Sequence, residues 1–162
     1  MAAKVIPIPP GFHTLTPHLT VRNASEALEF YKNAFGAEVL HVANMPDGRV
    51  MHASVRMGDS ILMLNDEMPE HGALSPLSSG GSGVTLHIYT QNVDDAFARA
   101  VAAGATVKMP VADQFWGDRY GSLVDPFGYS WGIGTHKEDL SPKDMGERAQ
   151  QFFASMSQRK TA

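Results

Sequence analysis

The sequence predicts an α+β protein made of two tandem modules, each a strand, a helix and then two or three further strands. Three observations carry this. HLTVRNASEALEF from His18 aligns with HIYTQNVDDAFAR from His87 at an offset of 87 − 18 = 69, with Asn23 on Asn92 and Ala27 on Ala96. RVMHASVRMGDSILMLND from Arg49 aligns with RYGSLVDPFGYSWGIGTH from Arg119 at 119 − 49 = 70, with Gly58 on Gly128 and Ser60 on Ser130. Between the copies, DEMPEHGALSPLSSGGSG has the proline, glycine and serine content of a connecting loop. The reading is one domain over 1–162, with module one at about 14–66, a linker at about 67–82, module two at about 83–136 and a C-terminal helix at about 141–157.

Neighbouring side chains on a strand point to opposite sides of its sheet. In the first strand Leu15, Leu19 and Val21 therefore share one face, and Thr14, Thr16, His18 and Thr20 the other. The helix after it opens at Asn23 with Glu26 three residues on, carries Leu28, Tyr31 and Phe35 at helical spacing, and stops at Gly36. In RVMHASVRMG, Met51, Ala53, Val55 and Met57 read as core, and Val50, His52, Ser54 and Arg56 as the opposite face.

Module two repeats the pattern. Val84, Leu86 and Ile88 lie under its helix, and Thr85, His87 and Tyr89 point away. Asn92 with Asp95 opens that helix, Val93, Phe97 and Val101 form its stripe, and Gly104 ends it. The last strand leaves an Asp-Pro-Phe-Gly turn. At the offset of 70, Trp131 and Ile133 match Ile61 and Met63 as the core set, so Gly132 and Gly134 take the other face, where missing side chains admit a ligand or a backbone. His136 closes this strand on the glycine face, at a rim or in solvent. In SPKDMGERAQQFFASMSQRK, Ser141 caps, Pro142 takes the first helical position, and Met145, Phe152, Phe153 and Met156 form an apolar side. This helix, like the proline-rich arm before Phe12, is expected to dock on the domain or on a second copy.

Composition sets the limits. A chain of 162 residues with 43% hydrophobic and 19% charged side chains can bury one core and is not disordered in the main. A net charge of −4 without a Lys/Arg cluster argues against nucleic acid as partner. The chain has no cysteine, which excludes disulfides, thiolate metal sites and a cysteine nucleophile and suits a reducing compartment. It carries no apolar run of signal-peptide or bilayer length, so a cytoplasmic protein without a membrane partner is expected.

EALEFYKNAFGAEV in the first module and DPFGYSWGIGTH closing the second resemble the vicinal oxygen chelate superfamily, which includes glyoxalase I, bleomycin-resistance proteins and extradiol dioxygenases. GDRYGSLVDPFG and THKEDLSP resemble its PhnB-like branch. The resemblance covers about Thr14 to Asp139 and is specific for fold rather than reaction. It implies paired βαβββ modules whose curved mixed sheets surround a cup, with helices outside, usually in a homodimer. The faces assigned above then turn Thr16, His18, His52, Arg56, Thr85, His87, Tyr89 and Gly132 toward that cup.

Metal-dependent members carry one ligand on the first strand of each module and one on the last. The resemblance puts these positions at Thr16, Leu62, Thr85 and Gly132, none of which supplies the imidazole nitrogen or carboxylate oxygen such a site requires. No metal cofactor is expected. A shifted site would use His18 and His87, with His52 as a third ligand, and would take Zn, Ni, Mn or Fe.

The resemblance and the residues together predict a protein that binds a small organic molecule in a polar, aromatic-rimmed cup. Phe115, Trp116 and Tyr120, around Gly117 and Gly121, form either a lid for a flat ligand or a cover for a sheet edge or subunit contact. With Thr16, His52, Thr85, Tyr89 and Gly132 they are the expected ligand contacts. If the ligand turns over, His18 or His87 is the general base and Arg56 steadies an enolate-like oxygen. The alternatives are a metal-dependent lyase, isomerase or dioxygenase at the shifted histidine pair, and a drug-sequestering protein that needs only aromatic surfaces.

Overall fold

The computed structural model of the protein describes residues 5–159. Module one runs β1 (His18–Val21), α1 (Ala24–Phe35), β2 (Glu38–Asn44), β3 (Val50–Met57) and β4 (Ser60–Asp66). The linker, expected as a loop, holds a 3-10 turn (Pro69–His71) and the single-turn helix α2 (Pro76–Ser79). Module two is β5 (Thr85–Tyr89), α3 (Val93–Ala102), β6 (Thr106–Asp113), β7 (Asp118–Val124) and β8 (Ser130–His136), and α4 (Pro142–Arg159) follows it. Among the described residues no helix is long and apolar enough to cross a membrane.

Each module folds into its own four-stranded mixed sheet, in the orders β1-β4-β3-β2 and β5-β8-β7-β6. The first strand pairs parallel with the last, and the other pairs are antiparallel. This is the predicted βαβββ repeat.

The predicted caps form. The Asn23 side chain accepts from the Glu26 N–H and Asn92 from that of Asp95, while Gly36 ends α1 at φ 67°. Helix α1 packs on α3, where the two modules meet. Tyr31, Leu64, Leu123 and Ile133 are fully buried there, and each apolar side chain so placed contributes about 1.5–3 kcal/mol relative to exposure.

A buried polar contact also ties the modules together. Asp125, 4% exposed at the start of the Asp-Pro-Phe-Gly turn, accepts from Tyr31 Oη (3.0 Å), Trp131 Nε1 (2.9 Å) and the backbone N–H groups of Phe127 and Tyr129 (both 2.9 Å). Burial pushes this carboxyl up and the four donors oppose it. Tyr129 then donates to the Thr20 carbonyl at 3.0 Å, fastening the turn to β1. The opening turn of the last strand thus locks module two onto module one.

Several facial assignments change. Val50 is 1% exposed and Met51 54%, the reverse of the expectation. The β2–β3 register slips between Ala43 and Asn44, and an extra residue in a strand turns the side chains beyond it to the opposite face. Leu15 is 86% exposed because β1 begins at His18, and Val84 is exposed because β5 begins at Thr85. Val101 is likewise exposed on α3.

The last strands superpose at 69 rather than 70. His18 pairs with Met63 as His87 pairs with Gly132, and 132 − 63 = 69. Met63 is therefore the equivalent of Gly132, and Leu62 points into the core at 5% exposure. The same offset joins Asp66 to Thr135, whose side chains accept from the first helical N–H groups, Ala24 at 2.7 Å and Val93 at 2.9 Å.

Candidate functional site

The faces turned away from the helices are built differently in the two modules. On sheet one, strand register places His18, Thr20, Met63, Ser54 and His41 on one face. His52 joins them, its ring 5.6 Å from that of His18 and 6.3 Å from that of His41. Burial, then the neighbouring His18 and His41, hold the His52 imidazole below its ordinary pKa and favour its neutral form. Arg56 is exposed and held by Glu38 across the β2–β3 pair, so it is already partnered.

Sheet two carries a row of rings. Phe152 of α4 lies 5.0 Å from Phe115, Phe115 5.1 Å from Trp116, Trp116 5.8 Å from Tyr120, Tyr120 5.5 Å from His87, and His87 4.5 Å from Tyr89. His87 and Tyr120 are nearly parallel, at 13°. Gly132 and Gly134 make this row possible. A Cβ on Gly132 would stand 2.7 Å from the Tyr120 ring and 3.0 Å from His87 Nδ1, and one on Gly134 3.3 Å from His87 Nε2. The glycines provide room for the protein's own rings before any ligand arrives.

Beside the row lies a buried carboxylate that the sequence reading passed over. Asp118, 5% exposed, accepts from Tyr89 Oη at 3.1 Å and Trp116 Nε1 at 3.2 Å, and meets His136 Nδ1 at 2.7 Å. Burial works against its ionisation, yet the three donors win and hold its pKa below the ordinary value. Alternation along β7 and β8 puts Asp118, Tyr120, Gly134 and His136 on one face, but only the register joins Asp118 to His136.

A cavity of about 500 Å³ opens between the modules, lined by Phe35, Met57, Leu62, Leu86, Ile88 and Trp131 and reaching His87 and Tyr89 at the β5 edge. Thr16 precedes β1 and donates to the His13 carbonyl at 2.9 Å. Thr85 lies exposed on β5, beside Ser130.

The four positions implied for a metal are Thr16, Thr85, Gly132 and, by register, Met63 in place of Leu62. None offers an imidazole or carboxylate, so the donor set does not fit a divalent ion. His18 and His87 stand on separate sheets with different ring neighbours. Among the described residues no group of three or more His, Asp or Glu is arranged to hold a metal ion.

Comparison with known proteins agrees with this architecture. The chain is 45% identical over 130 residues to the uncharacterized protein Rv0887c of Mycobacterium tuberculosis, spanning 78% of this chain and 76% of that one. The structure of the gene product At5g48480 from Arabidopsis thaliana superposes with a TM-score of 0.61 at 29% identity, covering 75% of this chain and 98% of that one. The PhnB protein from Bacillus cereus superposes with a TM-score of 0.60 at 21% identity, covering 76% and 99%. The profile of the Glyoxalase/Bleomycin resistance protein/Dioxygenase superfamily matches residues 11–133, which span both βαβββ modules, and the chain belongs to that superfamily.

Proposed function

We propose that the protein binds a flat organic molecule against the aromatic row of sheet two, in a cup completed by a second copy of the chain, without a glyoxalase-type metal. The observation that carries this is the row itself. Five ring contacts run from α4 to the β5 edge, and stacked aromatic surfaces recognise planar ligands at little entropic cost. The dimer is supported by the unpaired edges of β1 and β5, which a second copy can approach. The absence of cysteine suits a cytoplasmic setting.

A second reading adds turnover. No hydrogen bond among the described residues uses the His87 ring, which sits over Gly132 and Gly134 with its nitrogens available to a ligand proton.

The test is a titration of tryptophan fluorescence with a panel of flat aromatic and conjugated compounds, run on the full chain and on Tyr120→Ala, with sedimentation of both proteins. Saturable quenching by a dimer, weakened at least tenfold in the variant, is expected. A monomer, or affinity unchanged in the variant, would remove the row from the site.

A further inference from the structure

We infer that His136 is an anion-binding group of the sheet-two face, and that the ligand class is a flat organic carboxylate or comparable oxyanion, with the Asp139 carboxylate occupying the ligand's place in the free protein. This rests on the ring-lined cup proposed above.

The ring has an acceptor on each side. Nδ1 lies 2.7 Å from Asp118 Oδ1 and Nε2 3.0 Å from Asp139 Oδ1. A carboxylate accepts and cannot donate, so this arrangement favours a ring protonated on both nitrogens, an imidazolium. Asp139 and then Asp118 raise its pKa above the ordinary value, in agreement with the geometry.

The two partners differ in kind. Asp118 is buried and held by Tyr89 and Trp116, so its bond fixes the ring. Asp139 is fully exposed, at 102% side-chain exposure, on the segment leading to α4. An ion pair to so exposed a group is weak, and another carboxylate can displace it.

The position suits a flat ligand. Asp118 bonds two members of the row, Tyr89 and Trp116, and Tyr120 with Gly134 is the next pair after Asp118 with His136 on that face. A planar molecule stacked on Tyr120 and Trp116 therefore has a cation at its edge, within the same hydrogen-bonded unit that orders the rings.

The experiment compares 2-naphthoate with naphthalene-2-carboxamide, two planar probes that differ in charge. Calorimetric titration uses the wild type, Asp139→Asn and His136→Gln, each checked for folding by circular dichroism. Wild type is expected to bind the naphthoate at least fivefold more tightly than the carboxamide. Asp139→Asn, which removes the internal competitor, should tighten naphthoate about threefold or more and leave the carboxamide unchanged, an effect that a purely structural role for Asp139 would not produce. His136→Gln should erase the preference for the naphthoate over the carboxamide. Equal binding of both probes by wild type, or weaker naphthoate binding in Asp139→Asn, would overturn the anion assignment and leave the cup standing. Binding of neither probe would overturn both.

Discussion

The two sheets come from one repeated module, yet their open faces have opposite characters. Sheet one presents three histidines around Met63, and sheet two a row of rings over Gly132 and Gly134. The difference is concentrated at the equivalent of Met63 and Gly132. Removing one side chain from the last strand makes space for Tyr120 and His87 to lie parallel, and that space converts a polar sheet into a stacking surface. The turns differ as well. The β3–β4 turn at Gly58 and Asp59 is exposed, while the β7–β8 turn buries Asp125 against α1.

The largest effect should separate the turns. Asp125→Ala leaves the donors of Tyr31, Trp131, Phe127 and Tyr129 without their acceptor, and should cost about 3–5 kcal/mol in urea unfolding. Asp59→Ala, at the exposed counterpart, should stay within about 0.5 kcal/mol. Equal losses would show that the modules do not depend on the buried carboxylate.

The paired helix anchors come next. Asp66 accepts from both Ala24 and Val50 backbone N–H groups, each at 2.7 Å, whereas its counterpart Thr135 accepts from Val93 alone. Asp66→Ala should therefore destabilise by about 2–3 kcal/mol and Thr135→Ala by about 1 kcal/mol. The same denaturation series measures both.

Gly132→Met gives sheet two the residue of sheet one. Its Cβ would clash with Tyr120 at 2.7 Å, so affinity for naphthalene-2-carboxamide should fall at least about tenfold, or about 1.4 kcal/mol. Retained affinity would mean that the parallel His87 and Tyr120 rings are not the binding surface.

The smallest effect is in pH dependence, and its windows differ between the faces. The folded pKa of His52 is depressed by burial and by two imidazole neighbours. The stability it contributes is thus present above the ordinary imidazole value and lost as pH falls toward the folded one. Asp118 is also depressed, by donors that outweigh burial, so its contribution is lost only in a more acid range, below the ordinary carboxylate value. Urea midpoints followed from neutral to acid pH should show both losses. His52→Gln should remove the first and spare the second.

Much of the fold was legible because it is encoded locally. The caps at Asn23 and Asn92, the stop at Gly36 and the buried stripe of Leu28, Tyr31, Val93 and Phe97 follow from spacing alone, since helix ends and amphipathic faces are set within a turn or two of chain. Strand alternation likewise put His18, His52, His87, Tyr89 and Gly132 on the faces away from the core. It failed at Val50 and Met51, where the bulge reverses the faces, and at Leu62, where a one-residue difference in offset changes the face.

The amino-acid sequence by itself determined the duplicated βαβββ module, both ends of α1, the start of α3 and the residue types that line the open faces. Tertiary structure alone decided that Asp125 joins the modules, that Met63 stands opposite Gly132, and that Asp118 meets His136 across two strands. The physical reason is range. Periodicity and capping act over a few residues, whereas register depends on bulges and turn lengths, and a buried carboxylate finds its donors only where distant strands come within hydrogen-bonding distance.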